Sequence, residues 1–508
     1  MAEWDTVIVG GGSAGAAVAG RLSEDPARRV LLLEAGPDYR PASAPPEMKT
    51  GHWTSILDLE RFPQYQWPTL AARRTPDRPP EPYWRGRGVG GSSSINGQVA
   101  IRPPLDDFDE WTAGGGQLWA PERVLGSFMR LEDDLWYGPS DFHGADGPIP
   151  ISRADLESWG ELDVAFRSAL IDARHPWTPD CNDPHATGCS IFAFNARDDV
   201  RVSSNDGYLE PARSRTNLDV RGDHLVDRVC FKGNRATGVV AIVDGEAREF
   251  DADQVVLSAG AIHSPAVLMR SGIGPADHLR SHDIPVVASL AVGAGFQDHP
   301  HTYFGFPIAE AARPPVNGRH TNACVRWTSG VSGVPNDMMG LVNGPAPALP
   351  GYAGIGLFVS QVFSRGVVSL SSADPTVDPV VDMHLAEDTG DLFRLRQCVS
   401  MTRELLASRP FRSVIVGDVQ GADGTRLSEL RDPAEIDAWI ARTVDGSAHA
   451  SCTCRMGAAE RGGVVDGRGR VHGTTGLSVV DMSISPSVPR ANTNLTAIMI
   501  GEHLATEL

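Results

Sequence analysis

The sequence predicts an α/β chain (α+β overall) of at least two domains, and three observations carry that reading. Its 508 residues exceed what one hydrophobic core usually holds, at most about 250–300 residues. Its N-terminus passes from an apolar run through a glycine turn and a helical stretch to a second apolar run. Later stretches such as Gly366-Val367-Val368-Ser369-Leu370-Ser371 alternate apolar and polar residues, the period of a mostly antiparallel sheet, while Leu392 to Leu406 carries apolar residues at helical spacing.

The first element is Thr6 to Val9. It leads into Gly10-Gly11-Gly12-Ser13-Ala14-Gly15, a helix from Ala16 to Leu22, and a second strand from Val30 to Leu33 that ends in Glu34. Strand, G-x-G-x-x-G, helix, strand and terminal acid together form the dinucleotide-binding βαβ unit. Gly10 permits the tight turn, Gly12 lets a pyrophosphate approach the backbone, and Gly15 lets helix and strand pack closely. The helix N-terminus offers free amides and a partial positive charge. Glu34 is placed to accept hydrogen bonds from ribose hydroxyls.

Apolar residues make up 41% and charged residues 21%, a globular balance. Fifty-four glycines and 38 prolines suit a loop-rich enzyme. A net charge of −19 speaks against nucleic acid, whose phosphates it would repel. No secretory leader is visible: Glu3 and Asp5 precede the first apolar run. The longest uncharged stretch, Met338 to Ser364, contains Pro345 and Pro350 and does not read as a membrane helix, so a cytoplasmic location without membrane insertion is expected. Seven scattered cysteines include no C-x-x-C pair, which argues against zinc or any other metal and against a disulfide framework.

Residues 86–102 read GRGVGGSSSINGQVAIR, residues 254–275 read QVVLSAGAIHSPAVLMRSGIGP, and residues 293–299 read GAGFQDH. VVDGRGRVHG, LSVVDMSISP and NTNLTAIMIGE follow between Val464 and Glu502. These blocks resemble, in order and over nearly the whole chain, the signatures of the glucose–methanol–choline (GMC) family of flavoprotein oxidoreductases. The resemblance implies a Rossmann-type FAD-binding domain over 1–155, 206–300 and 445–508. It also implies a discontinuous substrate domain over 156–205 and 301–444, built on a mostly antiparallel sheet plus helices. FAD is the implied cofactor, contacted by Gly10, Gly12, Ser13, Ala14, Gly15, Glu34, Ala35, Arg87, Val89, Gly91, Ser92, Asn96, Gly97, Val226, Asp481, Asn492 and Thr493. Some members join a histidine just before the Asn96 position covalently to the flavin. Here that position is Ile95, so FAD is expected to be held noncovalently.

The same resemblance makes His449, in H-A-S-C-T-C-R-M-G, the active-site base, and Asn492 the group that holds the substrate oxygen. An imidazole with an unperturbed pKa near ~6.5 can take a hydroxyl proton near neutral pH. An amide offers both donor and acceptor but cannot act as a base. Asn492 also has a purely structural reading as a helix N-cap, with Asn494 its rival for capping or flavin contact. One departure is Cys452, where the family usually has glycine. His299 and His301 read as loop residues beside Pro300, and His263 reads as structural. Cys452 and Cys454, two apart in an extended chain, point to opposite faces and are not expected to pair. Small residues before the base, Ser447 and Ala448, suggest a site roomy enough for a bulky alcohol, with walls from Tyr303, Phe304, Phe306, Phe358 or Phe363.

The implied activity is oxidation of a primary, aromatic or bulky alcohol to the aldehyde, with O2 as acceptor and hydrogen peroxide as product. The alternative is a dehydrogenase passing electrons to a quinone, redox cofactor or protein. Less favoured are a hydroxynitrile-lyase-like enzyme of the same fold and a noncatalytic flavoprotein.

Overall fold

The computed structural model describes residues 2–50, 52, 56–313, 319–346 and 348–508. The N-terminal apolar runs form strands β1 (Trp4–Val9) and β2 (Val30–Leu33), parallel and paired from Thr6↔Val30 to Val9↔Leu33, with helix α1 (Ser13–Leu22) between them. Strand β3 (Leu218–Arg221) lies parallel on the far side of β2. An antiparallel meander, β4 (Leu225–Lys232), β5 (Arg235–Val243) and β6 (Glu246–Leu257), returns to β1, with Val9 opposite Leu257. The order is β3-β2-β1-β6-β5-β4, and the short strand Leu477–Val479 pairs with the end of β6. Val7, Ile8 and the whole of β2 are buried, as parallel strands covered on both faces must be. The chain leaves β1 toward β2, while β6 sits on its other side, so a crevice opens beyond the carboxyl end of β1. That is where open α/β sheets bind ligands.

Helix α2 (Gly260–Arg270) follows β6. A second sheet of eight strands contains β7 (Pro300–Pro307), β8 (Ala323–Trp327), β9 (Met338–Asn343) and β10 (Tyr352–Val359) in the antiparallel order β7-β10-β9-β8. Helix α3 (Thr389–Ala407) coincides with the expected apolar helical stretch. Its Leu395 and Val399 join Phe304, Phe306, Ile355 and Leu357 in one core on one face of this sheet. The opposite face carries His301, Tyr303 and Phe358. The alternating run Gly366–Ser369 is a strand of a separate five-stranded sheet, to which Ala71–Arg73 and Glu81–Pro82 also contribute. Helix α4 (Thr493–Leu504) packs on α1 so closely that a Cβ on Gly501 would lie 2.5 Å from the Ala14 carbonyl oxygen.

A buried charge network joins distant stretches of this framework. His143 faces Glu132 and Asp134 through Nδ1 (3.0 and 3.1 Å) and Asp180 through Nε2 (2.8 Å). Arg153 binds Asp134 and Asp180, and Arg102 binds Glu132. Three carboxylates thus meet two guanidinium groups, and a protonated imidazole closes the balance. Although burial pulls His143 down, its hydrogen bonds to Asp180 and Glu132 raise its pKa to about 9. In the unfolded chain the group titrates near 6.5, so its contribution is complete below that pH. It declines as pH rises from there through about 9. The thermal midpoint of the wild type is therefore expected to fall by several degrees more than that of His143→Gln between pH 6.5 and 9.5. Parallel curves for the two proteins would show that the network does not depend on this proton.

Candidate active site

Gly10 has φ +98°, and a Cβ there would lie 2.6 Å from the Ser258 carbonyl oxygen, so the turn into α1 requires glycine. A Cβ on Gly15 would strike the Gly10 carbonyl and lie 2.9 Å from Ser258 Cβ, which confirms its packing role and places it behind the cavity wall. The segment Gly86–Asn96 closes over this turn from the other side: Gly91 approaches the Gly12 Cα so nearly that a Cβ would come within 2.7 Å. Helix α1 begins at Gly12 with no side-chain cap and no acid in its first turn. Helix α4 begins at Asn492 in the same state. The two starts are tied by the Ser13 hydroxyl, which donates to Asn494 Oδ1 (2.9 Å). Both open onto a single cavity of about 950 Å3.

Gly10, Gly12, Ser13, Ala14, Glu34, Ala35, Gly91, Ser92, Asn96, Gly97, Val226, Asp481, Asn492 and Thr493 all line that cavity, and His449 lies at it too. Three expected contacts do not: Gly15, Val89, which is buried, and Arg87, which donates to the Ala35 carbonyl (3.0 Å) and stacks on Trp67. Trp67 and His263, stacked at 3.9 Å, line the wall instead, so His263 is more than a packing residue. The Glu34 carboxylate accepts from the amides of Gly11 (2.8 Å), Gly36 and Gly88 (both 2.9 Å). It therefore joins three backbone segments, a role its sequence position did not suggest. Asn96 is oriented by Arg201, which donates to its Oδ1 (2.7 Å). Two uncapped helix starts, a lining acid and a small-residue crossing segment fit a dinucleotide flavin, whose pyrophosphate the amides at Gly12 and Ser13 would hold. Ile95 lines the cavity where a covalent link would need an imidazole.

At the other end stand His449 and Asn492. Asn492 Nδ2 lies 3.2 Å from His449 Nε2, and Asn492 Oδ1 is buried without a partner. Asn492 thus occupies the N-cap position but leaves its side chain free for the site. His449 Nδ1 lies 2.8 Å from Nδ1 of His299, a buried residue. His299 does lie in the loop before β7, as expected, but it is buried against His449. His301, by contrast, is no loop residue but part of β7, lining the cavity. Asp298 fixes the His449 segment: Oδ1 accepts from the amides of Ser447 (3.0 Å) and His449 (2.9 Å), and Tyr83 donates to Oδ2 (2.7 Å). Burial, then the Arg85 charge, lowers the His449 pKa to about 3. Burial and His449 do the same to His299. Both rings are neutral at neutral pH, and one proton must lie between the two Nδ1 atoms. When His449 Nδ1 carries it, the Nε2 lone pair faces Asn492 and the cavity.

Ala448 (φ +58°) and Cys452 (φ +73°) take left-handed backbone on either side of the base, so Cys452 adopts the conformation that glycine takes freely. Cys452 and Cys454 are both free and buried. Of the expected aromatic walls, Tyr303 and Phe358 line the cavity, as do Ser447 and Ala448. Phe304 and Phe306 do not, because residues of opposite parity on β7 face the α3 core. Phe363 packs beneath Arg394.

Models of the GMC oxidoreductase family match residues 4–301 and 362–501. The chain is 36% identical to 5-(hydroxymethyl)furfural oxidase of Methylovorus sp. (strain MP688), over 99% of this chain and 98% of that protein. It is 34% identical to mitochondrial choline dehydrogenase of Homo sapiens, over 99% of this chain and 89% of that protein. Among solved structures, pyridoxine 4-oxidase from Mesorbium loti superposes with a TM-score of 0.89 at 28% identity, covering 99% of both chains.

Two outcomes are expected from the cofactor end. Unfolding should release yellow FAD into solution, whereas flavin retained on the precipitated polypeptide would contradict noncovalent binding. Glu34→Gln turns an acceptor oxygen into a donor facing backbone amides, so FAD affinity should weaken at least about tenfold. Titration of apoprotein with FAD measures this, and an affinity within twofold of wild type would refute the clamp.

Proposed function

The chain belongs to the GMC oxidoreductase family, and we propose that it oxidises a primary alcohol, aromatic or bulky, to the aldehyde, with O2 as electron acceptor and hydrogen peroxide as product. It is an FAD-dependent enzyme of the alcohol oxidase and dehydrogenase type. The observation that carries the proposal is the neutral His449 beside an amide whose Oδ1 has no partner, at one end of a cavity whose other end suits a dinucleotide. The FAD-binding part would comprise residues 1–155, 206–300 and 445–508, and the substrate part 156–205 and 301–444.

The alcohol oxygen would sit between His449 Nε2 and Asn492. His449 takes the hydroxyl proton at Nε2 while its Nδ1–H stays directed at His299, so the new imidazolium is held by a hydrogen bond to a buried partner. The Asn492 amide holds the oxygen as it changes from hydroxyl to carbonyl. FAD, when bound, supplies the acceptor for the hydride leaving the carbinol carbon. A ring-bearing alcohol is favoured by the wall of Tyr303, Phe358 and His301 and by relatives named for 5-(hydroxymethyl)furfural and pyridoxine. The two relatives named as oxidases favour O2. Similarity to choline dehydrogenase keeps a different acceptor as the second reading.

In air, one peroxide should form per aldehyde, and an aldehyde formed only with an added quinone or carrier would replace O2 as acceptor. His449→Ala should stay yellow but reduce its flavin about 10²–10⁴-fold more slowly in anaerobic stopped flow, with a smaller loss for Asn492→Ala. Because burial holds His449 neutral down to about pH 3, the wild-type reduction rate should show no inflection near 6.5. A near-normal rate in His449→Ala would remove it as the base.

A further inference from the structure

The substrate half of the cavity rests on one face of the β7-β10-β9 sheet, and that face carries an unusual row of glycines. Gly305 on β7 lies opposite Gly354 on β10, and Tyr303 lies opposite Gly356. Glycine inside a strand weakens it, costing about 0.5–1 kcal/mol relative to alanine. None of the three has a φ in the left-handed region, so the backbone does not demand glycine here. The neighbouring rings do. A Cβ on Gly354 would fall on the hydroxyl and Cζ of Tyr303, and a Cβ on Gly305 would fall on the ring of Tyr352. Each tyrosine leans diagonally across the strand pair and covers the glycine two residues along. On Gly356 the added atom would meet Phe358 at 3.3–3.4 Å and Tyr303 at 3.6 Å, close but tolerable with a small adjustment.

Tyr303 and Phe358 line the cavity, whereas Gly354 and Gly356 lie beneath the rings. We infer that Tyr303, laid down over Gly354, is the floor of the substrate half and sets how large a ring-bearing alcohol the site admits. The inference deepens the proposed alcohol oxidation and rests on it for the identity of the substrate. Gly354 is then a specificity-determining residue that never touches substrate. A methyl group at that position tilts the tyrosine up into the space the alcohol ring would fill. Since the displaced atoms are the far end of a side chain, held only by the hydroxyl's hydrogen bond to Asn343, the strand itself can stay in place.

The test compares wild type, Gly354→Ala, Gly356→Ala and the double variant Gly354→Ala/Tyr303→Ala. Anaerobic flavin reduction is measured with ethanol, benzyl alcohol and 2-naphthalenemethanol, and the flavin difference spectrum is titrated with benzoate and 2-naphthoate. Gly354→Ala should lower efficiency on the naphthyl alcohol at least tenfold relative to ethanol, and weaken naphthoate binding more than benzoate binding. Gly356→Ala should cause a smaller change in the same direction, and the double variant should restore the naphthyl compounds to wild-type levels or better. An equal change for small and large compounds, or no recovery in the double variant, overturns the floor. Wild-type flavin that no alcohol bleaches would overturn the alcohol reading instead, while the two carboxylates still test the floor. If Gly354→Ala fails to retain flavin, Tyr303→Ala alone should shift the preference toward naphthoate over benzoate at least threefold. An unchanged preference would then refute the inference.

Discussion

The carboxylate of Glu34 is the point on which the cofactor half of the molecule turns. Through Gly11 it holds the turn between β1 and α1, through Gly36 the chain leaving β2, and through Gly88 the segment that crosses over both. The segments also meet directly: Arg87 donates to the Ala35 carbonyl, and the amides of Gly90 and Val89 donate to the carbonyls of Gly11 (2.7 Å) and Pro37 (3.2 Å). A buried acid accepting three amides reinforces these bonds, and charge-assisted bonds of this kind are about twice as strong as neutral ones. The crossing segment then carries Ser92 and Asn96 to the cavity, and Arg201 sets the angle of Asn96. The far end of the cavity has its own anchor in Asp298, which pins the His449 segment by two amides. Two buried carboxylates thus fix the two ends of one site.

What was legible in the sequence was whatever is encoded within a few residues. The βαβ unit follows from spacing alone, and α3 from its apolar period. His449 and Asn492 were singled out through motifs, and the structure brings them within 3.2 Å of each other. The partner of the base was not legible, although Asp298 and His299 stand inside a motif that was read. Their approach to His449 depends on Gln297 pairing with Ser451, a contact between residues far apart in the chain. The aromatic walls failed for a related reason. An alternating strand offers two faces, and sequence cannot say whether Tyr303 or Phe304 turns to the cavity until the α3 core claims one of them.

Asn492 shows two local rules in competition. Its position is that of a helix cap, yet its amide points at the base and leaves the first turn of α4 unsatisfied. Ala448 and Cys452 accept left-handed backbone beside the base, at a cost of the order of 1 kcal/mol or more each. Ten other non-glycine residues among the described ones also take positive φ, from Gln98 to Ala386, so this backbone is not confined to the neighbourhood of His449.

The two uncapped helix starts have a consequence for how a charged cofactor enters and stays. The chain as a whole bears a net charge of −19, so an approaching anion meets a repulsive field that extends into solvent. Dissolved salt shortens that field to about 8 Å at physiological ionic strength. At the bottom of the crevice the amides of α1 and α4 would act on a bound dinucleotide at contact distance, where mobile ions do not intervene. Entry and retention of a dinucleotide would therefore answer to different variables, with salt bearing on the first far more than on the second.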